Sequence, residues 1–118
     1  MRAIRGAACL QADDAAEMRE AVVELLSDMM SKNNVTKDDL VSILFTGTPD
    51  IHCTFPATAA RELELADVPL ICAQEMDVTG AMPLTVRVMM HANISTARCD
   101  IKHIYIRGAE ALRQDIAQ

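Results

Sequence analysis

The chain has 118 residues, 51% of them apolar but only 3% aromatic, with a formal charge of −6 and a mean hydropathy of +0.13. That is the length of one domain, residues 1–118, around an aliphatic core rich in the eight methionines. Between Asp13 and Asp39 eight acids stand against Arg19, Lys32 and Lys37, leaving the remainder near neutral; with no basic stripe and no long apolar run, the sequence argues against nucleic acid and against a membrane span.

Ala3 to Leu10 reads as a first strand, apolar but for Arg5 and Gly6. Asp14 is placed as an N-cap, with Glu17 three residues on as in a capping box, and Met18, Val22, Leu25, Leu26 and Met29 recur on one helical face. Asn33 and Asn34 end that helix, and Thr36 with Asp39 predicts a single capped turn. Leu40 to Phe45 reads as a buried strand, stopped by the turn residues from Gly47 to Asp50. Pro56 opens a short helix, Pro69 to Gln74 is a strand, and a loop around Gly80 leads to a strand from Leu84 to Ala92 with Val86, Val88 and Met90 on one face. Ile101 to Ile106 is the last strand, followed by a turn of helix from Ala109 to Arg113. The order predicts a mixed α/β (α+β) domain with a five-stranded mixed sheet, one long helix and two short ones.

Four cysteines (Cys9, Cys53, Cys72 and Cys99) are scattered without CxxC pairs, and no export signal opens the chain, so reduced thiols in the cytoplasm are expected. Arg5 and Arg87 each interrupt an apolar strand. A guanidinium there calls for a planar anionic partner, in a structural ion pair or in a bound ligand. Glu75 at a strand end reads equally as a surface acid, Tyr105 as a core residue, and Cys72 as a small buried hydrophobe with no base beside it. His52, His91 and His103 make no metal set, and no nucleophile elbow or phosphate loop is present.

Four strings carry more information than any residue alone. RAIRGA (Arg2 to Ala7), TPDIHCTFPATAARE (Thr48 to Glu62), CAQEMDVTGAMPLTVRVMM (Cys72 to Met90) and HIYIRGAEALR (His103 to Arg113) resemble the monofunctional chorismate mutases of the trimeric α/β class. The resemblance spans nearly the whole chain. It implies a homotrimer shaped as a pseudo-barrel with sites at subunit interfaces, turning chorismate into prephenate for phenylalanine and tyrosine synthesis without a cofactor. Matched position by position, it puts catalytic roles on Arg87, Glu75 and Arg5, and substrate contacts on Cys72, Tyr105, Phe55, Arg61 and Arg113. Thr58 departs from the family, where lysine is common, and the chain stops five residues after Arg113 where relatives can carry a longer tail; both changes touch the entrance to the site.

The implied reaction suits a sequence with no nucleophile motif and no metal set. A Claisen rearrangement moves electrons round a ring, so the catalyst must hold a flexible dicarboxylate compactly and stabilise charge growing on the ether oxygen. Arg87 is assigned to that oxygen and Arg5 to a carboxylate. Glu75 is assigned to the substrate hydroxyl with Cys72 bonded nearby, and Phe55 and Tyr105 to the walls. The competing classes are a non-catalytic trimer that binds a carboxylated metabolite and an enamine or imine deaminase of similar fold.

Overall fold

Alternation along the strands decides which side of the sheet is covered. In the computed structural model, which describes residues 1–112, the first strand, β1 (Arg2–Cys9), turns Ile4, Gly6 and Ala8 toward the long helix α1 (Ala15–Ser31). Gly6 is needed there because a Cβ would fall 2.5 Å from Met29 Sδ, so its absence lets helix and strand approach. The helix answers with Met18, Ala21, Val22, Leu25, Leu26 and Met29, all buried, which is the face expected from their spacing.

Four more strands complete one sheet: β2 (Leu40–Gly47), β3 (Leu70–Gln74), β4 (Thr85–Ala92) and β5 (Ile104–Ile106). Their spatial order is β3-β2-β4-β1-β5, with β4 antiparallel to both β1 and β2 and the two edge strands parallel to their neighbours. This is the predicted five-stranded mixed sheet. Phe45, Ile43, Val86, Val88 and Met90 join the helix in one large core, and a small second cluster of Ala7, Tyr105 and Ala109 sits under the final turn, Ala109–Leu112. No helix among the described residues is long and apolar enough to cross a membrane.

The structure corrects several local readings. The short helices are 3₁₀ turns, at Lys37–Asp39, Pro56–Arg61, Arg98–Asp100 and Ala109–Leu112. Asp14 does cap α1, accepting the Glu17 N–H at 2.8 Å, but the Glu17 carboxylate reaches past it to the N–H groups of Gln11 (2.6 Å) and Ala12 (3.1 Å). The run from Leu40 is not buried throughout, because its alternate residues face away from the helix and Leu44 remains 37% exposed. The last strand begins at Ile104 and not Ile101. Asn33, almost fully buried, takes both the N–H and the C=O of Lys102 at 2.8 Å, so those groups cannot enter the ladder. Leu84 likewise precedes its strand, with φ of 48°.

Three aspartates hold connections between elements. Asp13 accepts the N–H groups of His52 and Cys53, Asp39 that of Thr36, and Asp50 that of Leu84 together with the Thr48 hydroxyl. These bonds favour the carboxylate and lower the pKa of each below the ordinary 3.8, the leading causes being the His52 N–H, the Thr36 N–H and the Thr48 hydroxyl respectively. A depressed folded-state pKa stabilises above the unfolded value and is lost as pH falls through the folded one. The melting temperature is therefore expected to drop as pH is lowered beneath about 4, and replacing all three by Asn should flatten that acid limb; thermal melts at constant ionic strength check it.

Candidate functional site

The side of the sheet away from α1 gathers the charged strand residues. Arg87 lies between Ala7 of β1 and Thr46 of β2 in the register, and all three point to this side. Glu75, just past β3, donates its N–H to the Gly47 carbonyl at 2.9 Å, which brings its side chain beside Thr46. The Thr46 hydroxyl donates to Glu75 Oε2 at 2.8 Å and Arg87 Nε donates to Oε1 at 3.2 Å. Each carboxylate oxygen therefore has a fixed partner. The Glu75 side chain is 17% exposed while that of Arg87 is 48%, so the acid is anchored and the guanidinium reaches outward. A partly exposed pair of this kind adds little stability, about 0–1 kcal/mol; its effect is to orient the guanidinium.

Arg87 opens onto a cleft of about 230 Å³ lined by Arg5, Leu44, Thr46, Met89 and Tyr105. Arg5 is fixed from the other side, since its backbone N–H donates to His103 Nδ1 at 2.9 Å where a ladder carbonyl would otherwise stand. Tyr105 packs on Ala7 and Ala109 and shows its remaining edge to the cleft. Two arginines lining one cleft, one of them held by a glutamate, suit a small ligand with more than one carboxylate.

The other matched residues lie elsewhere. Phe55, Arg61 and Cys72 line a groove of about 510 Å³ along edge strand β3, together with Thr58 and Ile71. Phe55 is 71% exposed and Ile71 64%. Among the described residues the cleft and the groove share no lining residue. Cys72 does not meet Glu75 within the chain, contrary to the sequence reading. Cys72 pairs in register with core-facing Phe45, whereas Glu75, beyond the end of β3, is held by Thr46 of the open face. Phe55 and Tyr105 likewise wall different cavities. Arg113 lies outside the described residues.

Sequence reasoning overlooked Thr46, which holds Glu75, and His103, which holds the Arg5 backbone. Strand parity carried a signal for Thr46, as an isolated hydroxyl two residues beyond Leu44 on the open face. Nothing in the sequence connects His103 to Arg5, ninety-eight positions away.

An open mixed sheet with two arginines at one cleft, Arg87 held by a glutamate, is an arrangement suited to small anionic ligands. The chain belongs to the type I chorismate mutases, whose family model it matches over residues 1–116. It is 37% identical to the AroH chorismate mutase of Bacillus subtilis, over 99% of this chain and 93% of that protein, and 36% identical to the AroH chorismate mutase of Thermus thermophilus, over 98% and 96%. Its fold is similar to a solved chorismate mutase from Clostridium thermocellum, with a TM-score of 0.92 and 40% identity over 94% of this chain and 99% of that one. The chain is thus an isomerase of aromatic amino-acid biosynthesis, with chorismate as substrate and prephenate as product, and the deaminase reading falls away.

Proposed function

We propose that this chain rearranges chorismate at a site built from two copies of itself, in a cytoplasmic homotrimer. One copy supplies Arg5, Glu75, Arg87 and Tyr105, and its neighbour supplies Phe55, Arg61 and Cys72. The observation that carries this is the division of the matched residues between a cleft and a groove with no wall in common. The open sheet face supports the same reading. Leu44 and Ile71 stand side by side on it with no helix above, and such apolar surface is ordinarily covered by another layer or another subunit. Four free thiols suit a reducing compartment.

In the reaction the ether C–O bond breaks as a C–C bond forms, and no proton, electron or group leaves the substrate. Arg5 and Arg61 bind carboxylates and hold the compact conformer, which removes much of the entropic part of the barrier. Arg87, oriented by Glu75, meets the ether oxygen as negative charge develops there. A fixed, permanently charged donor is most effective where charge appears only in the transition state. Glu75 accepts the substrate hydroxyl. Phe55 closes the wall from the neighbouring chain.

If the site needs two copies, activity and assembly disappear together on dilution. Light scattering and chorismate consumption measured across a concentration series test this, and a fully active monomer would refute it. Cys72 needs no reactivity in this scheme, so Cys72→Ser is expected to keep kcat/KM within about tenfold of the parent, the scale of one neutral hydrogen bond. Mass spectrometry finding substrate attached to Cys72 would contradict that role.

A further inference from the structure

The groove residue Phe55 hangs on a connection with little structure of its own, just before the core-seated turn that carries Arg61. Between β2 and the turn Pro56–Arg61, residues 51–55 form no helix or strand. The Ile51 N–H reaches the Thr48 carbonyl, and the next two N–H groups, of His52 and Cys53, both go to one side chain from a distant part of the chain. That side chain is Asp13, in the link between β1 and α1. Its Oδ1 accepts His52 N–H at 3.0 Å and Cys53 N–H at 2.9 Å, and its Oδ2 also faces His52 N at 3.0 Å. Two residues later comes Phe55, which has a 71% exposed side chain and whose carbonyl accepts the first bond of the turn, from Thr58 N–H at 3.1 Å.

We propose that Asp13 is a positioning residue for chorismate binding: by clasping the His52 and Cys53 N–H groups it fixes the direction in which Phe55 leaves the loop. This rests on the two-cleft reading above. Asp13 touches no substrate. It acts through Phe55, whose exposed ring has little packing of its own, while the turn that follows is seated in the core by Pro56, Ala59 and Ala60.

The charges around the clasp agree with this role. The bond from His52 N–H is the largest influence on the Asp13 carboxylate and favours its charged form, while Asp50 and Asp13 repel each other. The N–H bonds prevail, so Asp13 titrates below the usual carboxylate range and stays charged at neutral pH. The Cys53 thiol is pushed up by burial and then by Asp13, so it too keeps one protonation state there. The clasp is accordingly closed throughout the neutral range.

The test is a steady-state series on the full chain: Asp13→Ala, Asp13→Asn, Phe55→Ala, and Phe55→Ala combined with Asp13→Ala, with the melting temperature of each. Asp13→Ala is expected to raise KM for chorismate about tenfold while kcat stays within about threefold, because binding contacts are displaced and the Arg87 cleft is untouched. Asp13→Asn keeps one acceptor oxygen, enough for both N–H groups, and should fall between parent and alanine. With Phe55 already removed, losing Asp13 should raise KM by less than it does alone. A variant that is merely less stable would melt lower and lose apparent kcat at unchanged KM, and that outcome overturns the proposal; if Asp13→Ala does not fold, the asparagine variant decides by the same split. Should Phe55→Ala leave KM unchanged, the two-cleft reading is what fails. Should Phe55→Ala raise KM while neither Asp13 variant does, only the role of Asp13 is lost.

Discussion

Arg87→Lys is expected to lower kcat/KM by at least about 10²-fold, the scale seen when one donor to a developing oxyanion is lost. Lysine keeps the positive charge but not the planar fork. In the parent chain Nε is committed to Glu75 at 3.2 Å, which leaves the outer nitrogens directed at the ligand. An ammonium cannot serve both directions with fixed geometry, and its hydration is harder to displace. The loss should fall on kcat as well as on kcat/KM, because charge on the ether oxygen is greater in the transition state than in bound chorismate. Stability should hardly change, since a half-exposed ion pair contributes about 0–1 kcal/mol. Steady-state kinetics beside a thermal melt separate the two effects. Near-normal turnover in Arg87→Lys would take the ether oxygen away from Arg87.

The same residue shows how far the sequence could be read. Arg87 interrupts a strand whose alternate positions, Val86, Val88 and Met90, are apolar, so its place on the uncovered face followed from period-two spacing alone. The long helix was equally legible, because Met18, Val22, Leu25, Leu26 and Met29 repeat at helical spacing behind a capping aspartate. What was not legible depends on distant backbone groups. The last strand is shortened because Asn33 captures Lys102 from sixty-nine positions away, and periodicity holds no trace of such a bond. Asp13 looked like one more surface acid in an acidic segment, yet it spans thirty-nine positions to His52. The family resemblance implies a bond from Cys72 to Glu75 in one site. The structure instead sets Cys72 against core-facing Phe45 and Glu75 on the Thr46 hydroxyl.

The largest expected gain of function comes from mixing two dead proteins. Arg61→Ala and Arg87→Ala should each be nearly inactive, because each removes a guanidinium from every site. If a site draws Arg87 from one chain and Arg61 from its neighbour, a mixed oligomer places two intact halves together at some interfaces. Random reassembly at equal concentrations gives about a quarter of sites with both arginines, and so about a quarter of parental activity. Arg61 and Arg87 sit in cavities with no common wall, which is the geometric ground for expecting this. The measurement is the rate of chorismate consumption after the two variants are dissociated and refolded together, with mixed oligomers verified by native mass spectrometry. Recovery to about a quarter of the parental rate is the predicted result. Verified mixed oligomers with no more activity than either variant alone would place both arginines in sites within single chains and contradict the account.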